Sequence, residues 1–174
     1  MASFDVAYNW MMDNEDRGRK YATVPDTGGM AISGINSAAY PAQFSAINAQ
    51  PQSTRGMYVE NFYLTEFWNQ WYAQLVSDEV AKRVFDAAVN MGPGTACKLL
   101  QIAVRTTAHP IATDGEWGPD TVAAANDSNS ESLVAVFQKT RLAHYQSIVA
   151  SNPSDEKYLG TEEQPGPWWT RSMK

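Results

Sequence analysis

Phe4, Ala7, Met11 and Glu15 follow one another at helical intervals behind Ser3, a residue suited to capping a helix start. This spacing predicts a helix to about residue 14 with all four positions on one face. Residues 15–35 break the pattern. Gly18, Pro25, Gly28, Gly29 and Gly34 divide the segment into short pieces, which predicts a small irregular or β-hairpin lobe. Residues 36–60 read as a loop region with one short helix around Pro41 to Asn48.

A stronger helical stripe begins near Thr65 with Phe67, Trp68, Trp71, Tyr72 and Leu75. Ser77 is placed to cap the next helix, which carries Val80, Val84, Phe85, Ala88 and Met91 and stops at Gly92-Pro93. Thr95 is expected to cap a third, with Ala96, Leu99, Leu100, Ala103 and Val104 facing inward. The segment from Thr113 to Thr121 reads as a turn leading into a short helix, with Pro119 in its first turn. A last long helix spans about residues 131–150, with Leu133, Phe137, His144 and Ile148 on one side, and Asn152-Pro153 ends it. The paired Trp168 and Trp169 of the tail are expected to dock back onto the helices. With no repeat, heptad series or low-complexity tract, the fold class is mainly α with one small lobe near the N-terminus.

Composition narrows the function. At 174 residues, 44% hydrophobic and 18% charged, the chain is globular and long enough to bury a core without staples. Thirteen basic against nineteen acidic residues give a net charge of -6. The absence of a basic cluster argues against nucleic acid as a partner and against electrostatic attraction to anionic membranes or cell walls. Cys97 is the only cysteine, so an internal disulfide is excluded, and with no His or Asn motif around it, it reads as a buried structural thiol. The opening residues have neither a basic stretch nor an apolar run, so neither a signal peptide nor membrane insertion is expected. His109 and His144 lack companions for zinc, and Asp114, Glu116 and Asp120 do not have calcium-loop spacing. No metal and no cofactor are expected.

Two carboxylates stand out. Glu15 ends an amphipathic helix on its apolar side, just before the Gly-rich lobe. Desolvation there would favour the neutral acid, the form that protonates a glycosidic oxygen. The plainer alternative is a helix-terminal Glu paired with water or Arg17. Asp26 lies in the turn Pro25-Asp26-Thr27-Gly28-Gly29, where it either bonds its own backbone or faces Glu15 across a cleft as the second carboxylate of a glycosidase. Asn90 suits either a sugar N-acetyl contact or a helix cap. Tyr21 either lines the cleft or packs under the lobe, and Trp117 either stacks on glycan or fills a corner.

Glu15-Asp16-Arg17-Gly18, Tyr21, Pro25-Asp26-Thr27-Gly28-Gly29 and Ser33-Gly34-Ile35 resemble the N-terminal signature of glycoside hydrolase family 108, N-acetylmuramidases of the phage endolysin type. That pattern is Glu-Gly-Gly-Tyr, then Asp-Pro-Gly-Gly and a Gly-Ile pair. Val84 to Gly92 is similar to the family's second hallmark. Lys98 to Gln101 and Asp114 to Thr121 resemble the peptidoglycan-binding segment that usually follows, and Arg141-Leu142-Ala143, Tyr145 and Asn152-Pro153-Ser154 continue the match.

The resemblance implies a lysozyme-like helical fold, cleavage of the β-1,4 bond between N-acetylmuramic acid and N-acetylglucosamine, and Glu15 as catalytic acid. Asp26 is then the second group, with Tyr21, Ser33, Asn90 and Trp117 toward substrate. It further implies peptidoglycan strands as partner, a monomer, and residence in a host cytoplasm until a holin releases the protein for lysis. The division expected is a catalytic region at 1–93 and a peptidoglycan-binding-like helical region at 94–174, packed as one unit. Three departures stand out. Glu15 and Tyr21 are six residues apart where the family has three. Ala31 replaces a favoured Thr, whose hydroxyl role Ser33 is placed to take. The C-terminal segment carries an insertion at about residues 160–167. A lytic transglycosylase and a non-catalytic wall-binding module are the alternatives.

Overall fold

The computed structural model describes residues 1–107 and 109–174. Ten α-helices and one small sheet are seen among the described residues: α1 (Phe4–Glu15), β1 (Thr23–Asp26), β2 (Gly29–Ile32), β3 (Ile35–Asn36), α2 (Pro41–Asn48), α3 (Arg55–Glu66), α4 (Gln70–Gln74), α5 (Asp78–Met91), α6 (Pro93–Thr106), α7 (Pro119–Asp127), α8 (Ser130–Ser151), α9 (Glu156–Leu159) and α10 (Pro167–Met173). The mainly helical class with a small N-terminal lobe is the one expected. None of these helices is long and apolar enough to cross a membrane.

The core centres on α5. Val80, Val84, Phe85 and Ala88 face inward as their spacing requires, and α1, α6 and α8 pack around the helix. Ser77 caps it through the N–H of Val80, and Gly92, at φ +91°, ends it. Ser3 caps α1 through the N–H of Val6. The sheet has antiparallel order β1-β2-β3, with Val24 opposite Ala31, Asp26 opposite Gly29 and Ile32 opposite Ile35. Ile32 and Ile35 reach the common core, which fixes the lobe against the helices.

Three element boundaries differ from the sequence expectation. The helix placed near Thr65 starts at Arg55 and is finished by Glu66. Val59, Phe62 and Tyr63 form its buried stripe, but exposed Met57, Tyr58 and Leu64 blur the period. The aromatic run from Phe67 to Leu75 does not form one helix. The Asn69 side chain accepts from the N–H groups of Trp71 and Tyr72 and starts the separate short α4. Thr95 caps nothing: α6 begins at Pro93 directly after Gly92, because proline at a first helical position leaves no N–H to satisfy. On α8 the buried face runs Leu133, Phe137, Arg141, Tyr145, so it is an arginine and not His144 that continues the apolar stripe.

Candidate functional site

Glu15 is the last residue of α1, where the helix meets the lobe, and its side chain is 15% exposed. Its Oε1 accepts from Arg171 Nη2 at 2.6 Å. That guanidinium comes from α10 at the other end of the chain and replaces the Arg17 partner considered from sequence. Arg17 instead donates to the Asn14 carbonyl. Oε2 of Glu15 lies over Gly34, where an added Cβ would sit 2.5 Å from Oε2 and 2.7 Å from the Tyr63 hydroxyl. Gly34 also has φ +84°, so both backbone and space select glycine. The Tyr63 hydroxyl donates to the Ser33 carbonyl at 2.7 Å. Burial, then the charge of Glu15, push this phenol well above its ordinary range, so it remains a neutral donor.

A polar cleft of about 240 Å³ opens beside Glu15, with Asn14, Asp26, Ala31, Gly34 and Arg171 on its walls. Glu15 and Asp26 therefore share one cleft. Asp26, at the exposed end of β1, holds the hairpin turn: Oδ1 accepts from the Thr27 N–H at 2.8 Å and Oδ2 from Asn36 Nδ2 at 2.9 Å.

Beneath the lobe lies a carboxylate that sequence reasoning missed. Asp16 is buried, and it accepts from the N–H of Lys20 at 2.8 Å, the N–H of Tyr21 at 2.9 Å and the Ser33 hydroxyl at 2.7 Å. It stitches the loop after α1 to the end of β2, and holds Lys20, Tyr21 and Ser33 at positive φ. Ser33 is thus a buried brace pointing at Asp16, away from the expected substrate role. Tyr21 packs its ring against Gly56 on α3 and belongs with the partly buried groups around the core.

Behind Glu15 stands a buried ion cluster. Arg171 pairs with Asp86 through Nε to Oδ2 at 2.9 Å and through Nη2 to Oδ1 at 2.8 Å. Arg141 adds Nη1 to Oδ2 at 2.7 Å, and Asn14 donates Nδ2 to Oδ1 at 3.0 Å. Burial alone would push the Asp86 carboxyl up, but the Arg171 and Arg141 guanidiniums, with the Asn14 amide, hold it below the usual carboxylate range. A faint signal for this cluster exists in the sequence. Asp86 interrupts an apolar helix face, and Arg141 sits at i+4 between Phe137 and Tyr145.

Asn90 and Trp117 lie elsewhere. Asn90 accepts from the Tyr145 hydroxyl of α8 and neither caps α5 nor lines the Glu15 cleft; the C-terminal contribution to that cleft is Arg171. Trp117 packs on Tyr72, with ring centroids 4.9 Å apart, and also lines a separate depression of about 900 Å³ formed by α7, residues 109–118 and Gln101 of α6. That depression is distinct from the Glu15 cleft. Cys97 is buried, and burial pushes its thiol up to about 12, which makes it inert as a nucleophile. Among the described residues no three His, Cys, Asp or Glu side chains gather as metal ligands.

Two family models and one solved structure are similar to this chain. Residues 8–92 match the family model of glycosyl hydrolase 108, and residues 95–161 match that of a predicted peptidoglycan domain. A solved structure, that of Brucella abortus SagA, superposes with a TM-score of 0.60 over 88% of each chain at 21% identity, a likeness of fold. No curated protein matches the sequence.

Proposed function

We propose that this chain, whose residues 8–92 match the glycosyl hydrolase 108 model and whose residues 95–161 match a peptidoglycan domain model, is a cell-wall glycoside hydrolase, an N-acetylmuramidase with Glu15 as general acid. The observation that carries this reading is the placement of Glu15, in the signature position at the end of α1, on the wall of the polar cleft that also holds Asp26. Glu15 gives its proton to the glycosidic oxygen between N-acetylmuramic acid and N-acetylglucosamine as the C1–O bond breaks. Water supplies the new hydroxyl at C1 and releases a proton. Asp26 either stabilises the oxocarbenium-like centre or orients that water.

One observation favours a second reading, a lytic transglycosylase that uses Glu15 alone and leaves a 1,6-anhydro end. Both Asp26 oxygens already hold the hairpin turn, which suits a scaffold. Mass spectrometry of fragments released from purified peptidoglycan separates the two. Reducing N-acetylmuramic acid ends from the wild type, and none from Glu15→Gln, are expected. Anhydro ends would make the protein a transglycosylase, and a Glu15→Gln variant as active as wild type would remove Glu15 from the chemistry.

The proposal extends to the setting. The signature's resemblance to phage endolysins supports host-cell lysis by a monomer that waits in the cytoplasm for a holin, with no nucleic acid partner. Residues 1–93 would then supply the catalytic region and 94–174 the wall-binding one, as a single unit. Co-expression with and without a holin, followed as culture lysis, tests that setting.

A further inference from the structure

We propose that Arg171 is a positioning residue for Glu15, so that the C-terminal helix α10 completes the hydrolytic site. The inference rests on the reading of Glu15 as the acid. Arg171 lies beyond both matched segments, 8–92 and 95–161, so neither family model accounts for it.

The geometry separates a positioning role from a merely structural one. Asp86 is already paired with Arg141 at 2.7 Å, and that pair is neutral by itself. Arg171 brings a second positive charge into a space where its side chain is only 11% exposed. The charge that balances it is Glu15, and the four groups are neutral together only when Glu15 is a carboxylate. The fork of the guanidinium is used on both sides: Nε and Nη2 grip Asp86, which fixes the plane, and Nη2 also reaches Glu15 Oε1.

With Oε1 held, Oε2 over Gly34 is the oxygen left to carry the reacting proton. Once that proton has passed to the leaving sugar, Arg171 faces the carboxylate that forms. The path of the chain makes this possible. Gly160 and Pro165 pair as an isolated β-bridge, the loop between them turns the chain back, and α10 docks on α8 with Trp168 stacked on Tyr145 at 4.9 Å. The inserted segment noted in the sequence is therefore the one that delivers Arg171.

Arg171→Gln, Arg171→Lys and Glu15→Gln, compared with wild type on purified peptidoglycan, test the proposal, with thermal melting to establish folding. Arg171→Gln is expected to lose roughly 100-fold in kcat with KM little changed, the scale of a catalytic group displaced by about 1 Å. Arg171→Lys keeps a charge beside Asp86, so it serves if the glutamine variant does not fold. A single ammonium lacks the fork that reaches both carboxylates, and only partial recovery is expected. A folded Arg171 variant with wild-type kcat, beside an inactive Glu15→Gln, would overturn the positioning role and leave the acid assignment standing. An active Glu15→Gln would overturn both.

Discussion

Gly34 shows how a single residue serves both backbone and chemistry. Its φ of +84° costs a residue with a Cβ about 1–2 kcal/mol, and the Cβ itself would press on Glu15 Oε2 and the Tyr63 hydroxyl. Gly34→Ala is therefore expected to lower stability by about that amount, and to lower activity by roughly 100-fold through displacement of the carboxyl. Thermal melting and the release of reducing ends read the two effects separately. A variant that loses stability but keeps full activity would show that Glu15 tolerates the intrusion. The glycine was visible in the sequence as part of a Gly-Ile pair. That this glycine lies against Glu15 was not, because the two are nineteen positions apart and meet only in the fold.

At the scale of elements, the lobe depends on one buried carboxylate more than on its short strands. Asp16 gathers two backbone N–H groups and the Ser33 hydroxyl, and without it those donors would be left unpaired beneath the sheet. Asp16→Ala is expected to cost about 2–3 kcal/mol, and to raise amide exchange across residues 17–36 more than in α5. Equal protection in both regions would mean that the strands hold the lobe unaided. The helices were more legible. Ser3, Ser77, Gly92-Pro93, Pro119 and Asn152-Pro153 mark ends in the sequence that recur in the structure, since caps and stops act within one turn of the chain. The aromatic run at Phe67 to Leu75 was misleading because hydrophobicity without a clean period says what is buried and not in which element.

For the whole molecule the buried cluster ties the chain's end to its beginning, and it does so in a pH-dependent way. Asp86 is held below the usual carboxylate range, so its contribution to stability is present in full above about pH 4 and is lost as pH falls through the depressed folded-state value. Urea unfolding midpoints are expected to drop below about pH 4. Asp86→Asn leaves the buried Arg141 without its anion and Arg171 with Glu15 alone, and is expected to cost roughly 3–5 kcal/mol at neutral pH, with a flatter acid dependence. An Asp86→Asn variant as acid-sensitive as wild type would move the origin of that sensitivity to other carboxylates.

The sequence by itself determined the fold class, most helix ends, the Gly-rich lobe and the candidate acid, because each depends on spacing or turn chemistry within a few residues of chain. The tertiary structure decided what surrounds that acid. Arg171 reaches Glu15 across 156 positions and Asp86 across 85, and Ser33 turns inward to Asp16 instead of outward to the cleft. Asn90 and Trp117, plausible sugar contacts by residue type, lie away from the Glu15 cleft, the one bonded to Tyr145 and the other packed on Tyr72. The physical reason is the same throughout: a periodic pattern specifies a face, while a pairing of buried charges depends on which faces packing brings together.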